Sequence, residues 1–88
     1  MNSPRKRVAS LVVRELDDGI LLLDTEADKI HQLNVTAAFI WKQCDGVALA
    51  ADIAASLAQE CGVEEGAAAR DVEMALSELR ALNLVVEA

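Results

Sequence analysis

An α+β domain is the expected fold, a three-stranded antiparallel β-meander followed by three helices in an arrangement like a winged helix-turn-helix. Three observations predict it. Short apolar runs separated by turn residues fill the chain up to Leu33, and beyond Asn34 apolar residues recur with helical spacing. A length of 88 residues leaves room for one core only, because a chain of this size buries roughly 60 to 65% of its unfolded surface.

Residues 1–8 read as a flexible lead-in, with Arg5, Lys6 and Arg7 beside Ser3 and Pro4 as a solvated basic terminus, and residues 9–88 as the folded domain. The first strand runs from Leu11, Val12 and Val13 through Arg14 and Glu15 to the turn signal Asp17-Asp18-Gly19, where glycine supplies positive φ. Ile20 to Leu23 follow as an uninterrupted apolar strand, which places them at the centre of the sheet. A polar connection from Asp24 to Lys29 leads into Ile30-His31-Gln32-Leu33, an alternating segment suited to a sheet edge.

Asn34 is a preferred helix N-cap, and Ala37, Ile40, Trp41 and Cys44 behind it form one stripe, with Gly46 placed to end the helix. Ala50, Ile53, Ala54 and Leu57 repeat the spacing, and Gly62 follows. The third helix, about residues 65–82, carries Val72, Leu76, Leu79 and Leu82, while Glu64 and Glu65 favour the positive end of its dipole. Leu84-Val85-Val86 closes the fold as a short extended segment.

Composition excludes several functions. A net charge of -7 argues against nucleic acid, whose phosphates the surface would repel. The third helix, as a recognition helix, would bring Glu64, Glu65, Asp71, Glu73 and Glu78 against only Arg70 and Arg80, which disfavours a winged-helix DNA-binding regulator. No apolar run reaches the roughly 18 residues of a membrane span, and no apolar segment follows the basic N-terminus, so a cytoplasmic protein is expected.

Catalytic and metal chemistry have no foothold either. Cys44 and Cys61 lack CxxC spacing and read as reduced, small apolar side chains. His31 is the single histidine and falls in the edge strand, so no triad is expected, and no phosphate loop, EF-hand or HExxH occurs. The chain is read as a non-enzyme without cofactor or metal. Trp41 and Asn34 are assigned to core and cap.

The residues from Leu22 onward resemble the PqqD family, the recognition elements of ribosomally made, post-translationally modified peptides. Leu33-Asn34, Thr36, Ala38, Ile40-Trp41 and Asp45-Gly46 carry the likeness, an LN step followed by a helix ending in a DG turn. The acidic turn from Asp24 to Lys29, Asp71-Val72 and the Leu79-x-x-Leu82 spacing fit as well. Two departures stand out. Ala48 replaces the Ser or Thr of many relatives, leaving the second helix without an obvious side-chain cap, and the tail lacks the aromatic frequent in members dedicated to pyrroloquinoline quinone (PQQ) synthesis. Stand-alone members that serve lasso-peptide and radical-SAM pathways are at least as similar.

The resemblance implies a peptide chaperone that binds the leader of a precursor peptide as an added strand and presents it to a modifying enzyme. That partner would be a radical-SAM enzyme or a lasso-type protease or cyclase. The implied strand wall is Lys29, Ile30, His31, Gln32 and Leu33, and the facing helix offers Asp71, Met74, Ala75 and Glu78 beside its core stripe. Asp71 and Glu78 would favour basic residues in the peptide, and Met74 would adapt to apolar ones. An open edge also permits a homodimer by strand exchange, in competition with peptide. A structural or tethering subunit of a biosynthetic complex is the alternative function.

Overall fold

The computed structural model describes residues 3–87. Its elements run β1 (Pro4–Lys6), β2 (Leu11–Leu16), β3 (Gly19–Asp24), β4 (Lys29–Asn34), α1 (Val35–Gln43), α2 (Ala50–Cys61), α3 (Glu65–Ala81) and β5 (Val85–Glu87). β2, β3 and β4 form the antiparallel meander with the apolar β3 at its centre, as its uninterrupted hydrophobicity predicts.

Register decides which strand residues meet the helices. Ile20 pairs with Leu33, Leu22 with His31 and Asp24 with Lys29. Ile20, Leu22, Asp24 and Leu33 are buried, so this set of pairs faces the helical layer. The alternate row Val12, Leu23 and Ile30 lies on the opposite face, where Val12 and Ile30 are exposed.

Gly19 has φ of 146°, yet it stands as the first residue of β3 opposite Leu16, so the hairpin loop is Asp17-Asp18. Close approach explains the glycine better than the turn does. A Cβ at this position would sit 1.9 Å from the Leu33 carbonyl oxygen of the neighbouring strand.

The helices follow their sequence signals. Asn34 Oδ1 accepts the Ala37 N–H at 2.9 Å, and Gly62 closes α2 in the left-handed conformation. α1 ends at Gln43, before Gly46, and the Cys44 cap N–H donates to the Trp41 carbonyl. Ile40, Trp41 and Cys44 of the expected α1 stripe are buried, but in its first turn Ala38 is buried and Ala37 only half-buried. The missing Ser or Thr before α2 has a substitute. Asp52 accepts the Leu49 N–H at 2.9 Å, the acidic half of a capping box, while Asp45 accepts the Val47 and Ala48 N–H groups in the preceding turn.

Leu82 departs from the expected stripe. It caps α3 and is 44% exposed, because the helix stops at Ala81 and Asn83 takes a left-handed φ of 59°. The Leu84 N–H returns to Leu79 and the Asn83 N–H to Arg80, a Schellman motif that turns Leu84 into the core in place of Leu82.

Within residues 1–8, expected as a lead-in, Pro4–Lys6 form β1 and Arg7 follows it, while Met1 and Asn2 lie outside the described residues. β1 pairs antiparallel with β5 on one side. On its other side Lys6 N–H donates to Cys44 and Pro4 accepts from Gly46, so the strand is held between the α1–α2 connection and the tail. Sequence proximity gave no sign of this, since both partners are remote in the chain.

Ile40, Trp41, Ile53, Leu57, Val72, Leu76, Leu79 and Leu84 make the body of the core with Ile20 and Leu22. Cys44 joins them as a free thiol that donates to the Ile40 carbonyl, and burial pushes its pKa up to about 11, while Cys61 is free and exposed.

Candidate functional site

β4 pairs with β3 along one edge, and among the described residues its other edge has no backbone partner. An edge of this kind leaves alternate N–H and C=O groups free to pair with an extended chain. β2 is also an edge strand, but the depression at its Leu16 end is walled by Val35, Ala38, Phe39 and Lys42 of α1 rather than by α3. The β4 edge, by contrast, has depressions at both of its ends, each with residues of α3 in its opposite wall.

The first depression, about 330 Å³, lies at the Lys29 end and is lined by Lys29 and His31 from β4, Ala81, Leu82 and Asn83 from the end of α3, and Arg7, Asp24, Glu26 and Ala27. The second, about 310 Å³, lies where β4 passes into α1 and is lined by Asn34, Thr36 and Ala37 together with Asp71, Met74, Ala75 and Glu78.

The four α3 residues expected from sequence therefore share one wall, since positions 71, 74, 75 and 78 repeat at helical spacing beside the buried stripe of Val72, Leu76 and Leu79. Met74 is 66% exposed, which leaves its flexible thioether free to adapt. The strand residues divide by the pleat. Lys29 and His31 line the cleft, Ile30 and Gln32 occupy the other face, and Leu33 is buried in the core, so that it offers an incoming strand only its main chain.

The floor at the Lys29 end is electrostatically built. Arg7 grips Asp24 with both guanidinium nitrogens, Nη1 to Oδ2 at 2.8 Å and Nη2 to Oδ1 at 3.0 Å. Asp24 also accepts the Glu26 and Ala27 N–H groups. The Arg7 hydrogen bonds, followed by that of the Ala27 N–H, hold the Asp24 carboxyl well below the usual carboxylate range, although the side chain is only 4% exposed. Its burial is fully compensated, and no buried side-chain nitrogen or oxygen among the described residues lacks a partner.

Sequence reasoning missed Arg7, Asn83 and the Ala27 turn as cleft residues. Asp24 was legible as part of an acidic turn, but its partner comes from a segment 17 residues away. Among the described residues no group of three or more His, Cys, Asp or Glu side chains is arranged to hold a metal ion. No helix there is long and apolar enough to cross a membrane.

A meander on three helices with a bare, helix-walled edge strand defines a class of small α+β domains similar to winged helices. The family is equally plain: a model of the family described as coenzyme PQQ synthesis protein D (PqqD) matches residues 19–85, and the chain belongs to that family. Among solved structures the fold is similar to "Lasso peptide synthetase B1 complexed with the leader peptide", with a TM-score of 0.80 and 31% identity over 96% of this chain and 98% of that one. It is also similar to "TbiB1 in Complex with the TbiA(beta) Leader Peptide", with a TM-score of 0.77 and 21% identity over 91% of this chain and 93% of that one, a likeness of fold alone. No curated protein sequence matches significantly.

Proposed function

We propose that this protein binds the leader region of a ribosomally made precursor peptide by adding it as a strand to β4, and presents it to a modifying enzyme without catalysing a reaction itself. The observation that carries this reading is the open β4 edge facing α3 across a cleft. Main-chain pairing along β4 gives affinity with little regard to sequence, and alternate side chains of the added strand reach the two depressions, where discrimination arises. The similar lasso peptide synthetase B1 was solved with a leader peptide, which supports the peptide class and favours a lasso-type protease or cyclase over a radical-SAM enzyme as partner. The outer face of the sheet, with Val12, Leu23 and Ile30 in one row, offers that enzyme an apolar surface continuous with the added strand.

The test is isothermal titration of the purified protein with the leader of the precursor frame beside its gene, repeated with backbone N-methylated peptides. Saturable binding that N-methylation abolishes is expected. Absence of heat with any leader would transfer the assignment to a structural or tethering subunit.

A further inference from the structure

Resting on the peptide-binding reading, we propose that Arg7 is a positioning residue that sets the width of the cleft at the Lys29 end, and thereby the fit of the peptide side chain received there. Arg7 directly follows β1 and lies outside residues 19–85, the part matched by the family model.

The geometry is that of a three-way clasp. One guanidinium binds the Asp24 carboxylate at 2.8 and 3.0 Å and the Asn83 carbonyl at 3.3 Å, and the Arg7 main-chain N–H donates to the Leu84 carbonyl at 3.1 Å. Asp24 fixes the β3–β4 turn through the Glu26 and Ala27 N–H groups, whereas Asn83 and Leu84 follow directly on α3. The two walls of this depression thus come from remote parts of the chain and meet through a single side chain, itself only 12% exposed. A planar fork can hold a carboxylate and a carbonyl at once. A lysine ammonium keeps the charge beside Asp24 but lacks the fixed fork that spans both.

Arg7→Lys is therefore the decisive variant, with Arg7→Met/Asp24→Asn as a charge-free companion that leaves no buried carboxylate unpaired. The probe is the fluorescein-labelled leader of the neighbouring precursor frame, used at full length and shortened stepwise from each end, with anisotropy as the readout. For Arg7→Lys we expect a thermal midpoint near that of the native protein and affinity for the full-length leader weakened about tenfold. The penalty should vanish when the peptide is shortened from the end lying over Lys29 and His31, and persist when it is shortened from the other. A merely structural role would weaken every peptide alike, and that result, or unchanged affinity in both variants, overturns the proposal. If the native protein binds no leader, peptide capture itself fails and the clasp falls with it, an outcome distinct from native binding that ignores Arg7.

Discussion

The indole Nε1–H of Trp41 donates a 3.0 Å hydrogen bond to the carbonyl of Leu84, across 43 residues of sequence. The same carbonyl accepts the Arg7 main-chain N–H, so α1, the residue that follows β1 and the segment leaving α3 converge on one oxygen. Trp41 is 3% exposed, and the contact gives the largest core side chain a fixed orientation.

Replacement of Trp41 by Phe removes that donor and some core volume while leaving the carbonyl its second partner. A loss of roughly 2–3 kcal/mol is expected, from one net hydrogen bond and partial cavity formation. Urea unfolding followed by far-ultraviolet circular dichroism checks it. A change below about 0.5 kcal/mol, the range of ordinary surface substitutions, would show that the hydrogen bond and the indole volume contribute little.

Gly19→Ala is expected to cost roughly 2–4 kcal/mol, since the methyl group would be driven into the Leu33 carbonyl and β4 would have to move away from β3. Thermal unfolding measures the cost. Gly62→Ala is the control, as its Cβ would meet no atom within 4 Å and only the left-handed φ opposes it. Equal losses at the two sites would remove the close-approach argument.

Asp24 predicts the acid limb of stability. Its folded pKa is depressed by the Arg7 and main-chain hydrogen bonds, so its contribution is complete above the unfolded value of about 3.9 and is lost as pH falls through the folded one. The thermal midpoint should therefore be flat from about pH 7 to 5 and decline below about pH 4. Asp24→Asn should start lower at neutral pH and lose part of that decline. Parallel curves for the two proteins would contradict the assignment.

Charge reversal at Asp71 and Glu78 tests the acidic wall beside Met74. With both changed to Lys, a leader carrying a basic residue at this end should bind about tenfold more weakly at low salt, and the difference should shrink as salt rises. The leader with that residue changed to Glu should regain affinity for the variant. Unchanged binding of the basic leader would show that the two carboxylates do not select peptide charge.

Much of the scaffold could be read from local signals. The apolar continuity of Ile20 to Leu23, the Asn34 cap and the repeated spacings of the three helices depend on contacts within a few residues, and these signals hold except at Ala37 and Leu82. The α3 wall of the cleft was legible for the same reason, because a helix with a known buried stripe determines which residues flank it.

What sequence by itself determined was thus the order of elements from β2 to α3, the central and edge strands, and the face of α3 that flanks its buried stripe. Tertiary structure alone decided that Pro4–Lys6 pair with Val85–Glu87, that Leu84 rather than Leu82 enters the core, and that Arg7 joins Asp24 to Asn83 at the cleft floor. Periodicity reports the faces of one element at a time. It carries no information about partners brought together across 76 residues, as Arg7 and Asn83 are, where packing of the whole chain selects the pairing.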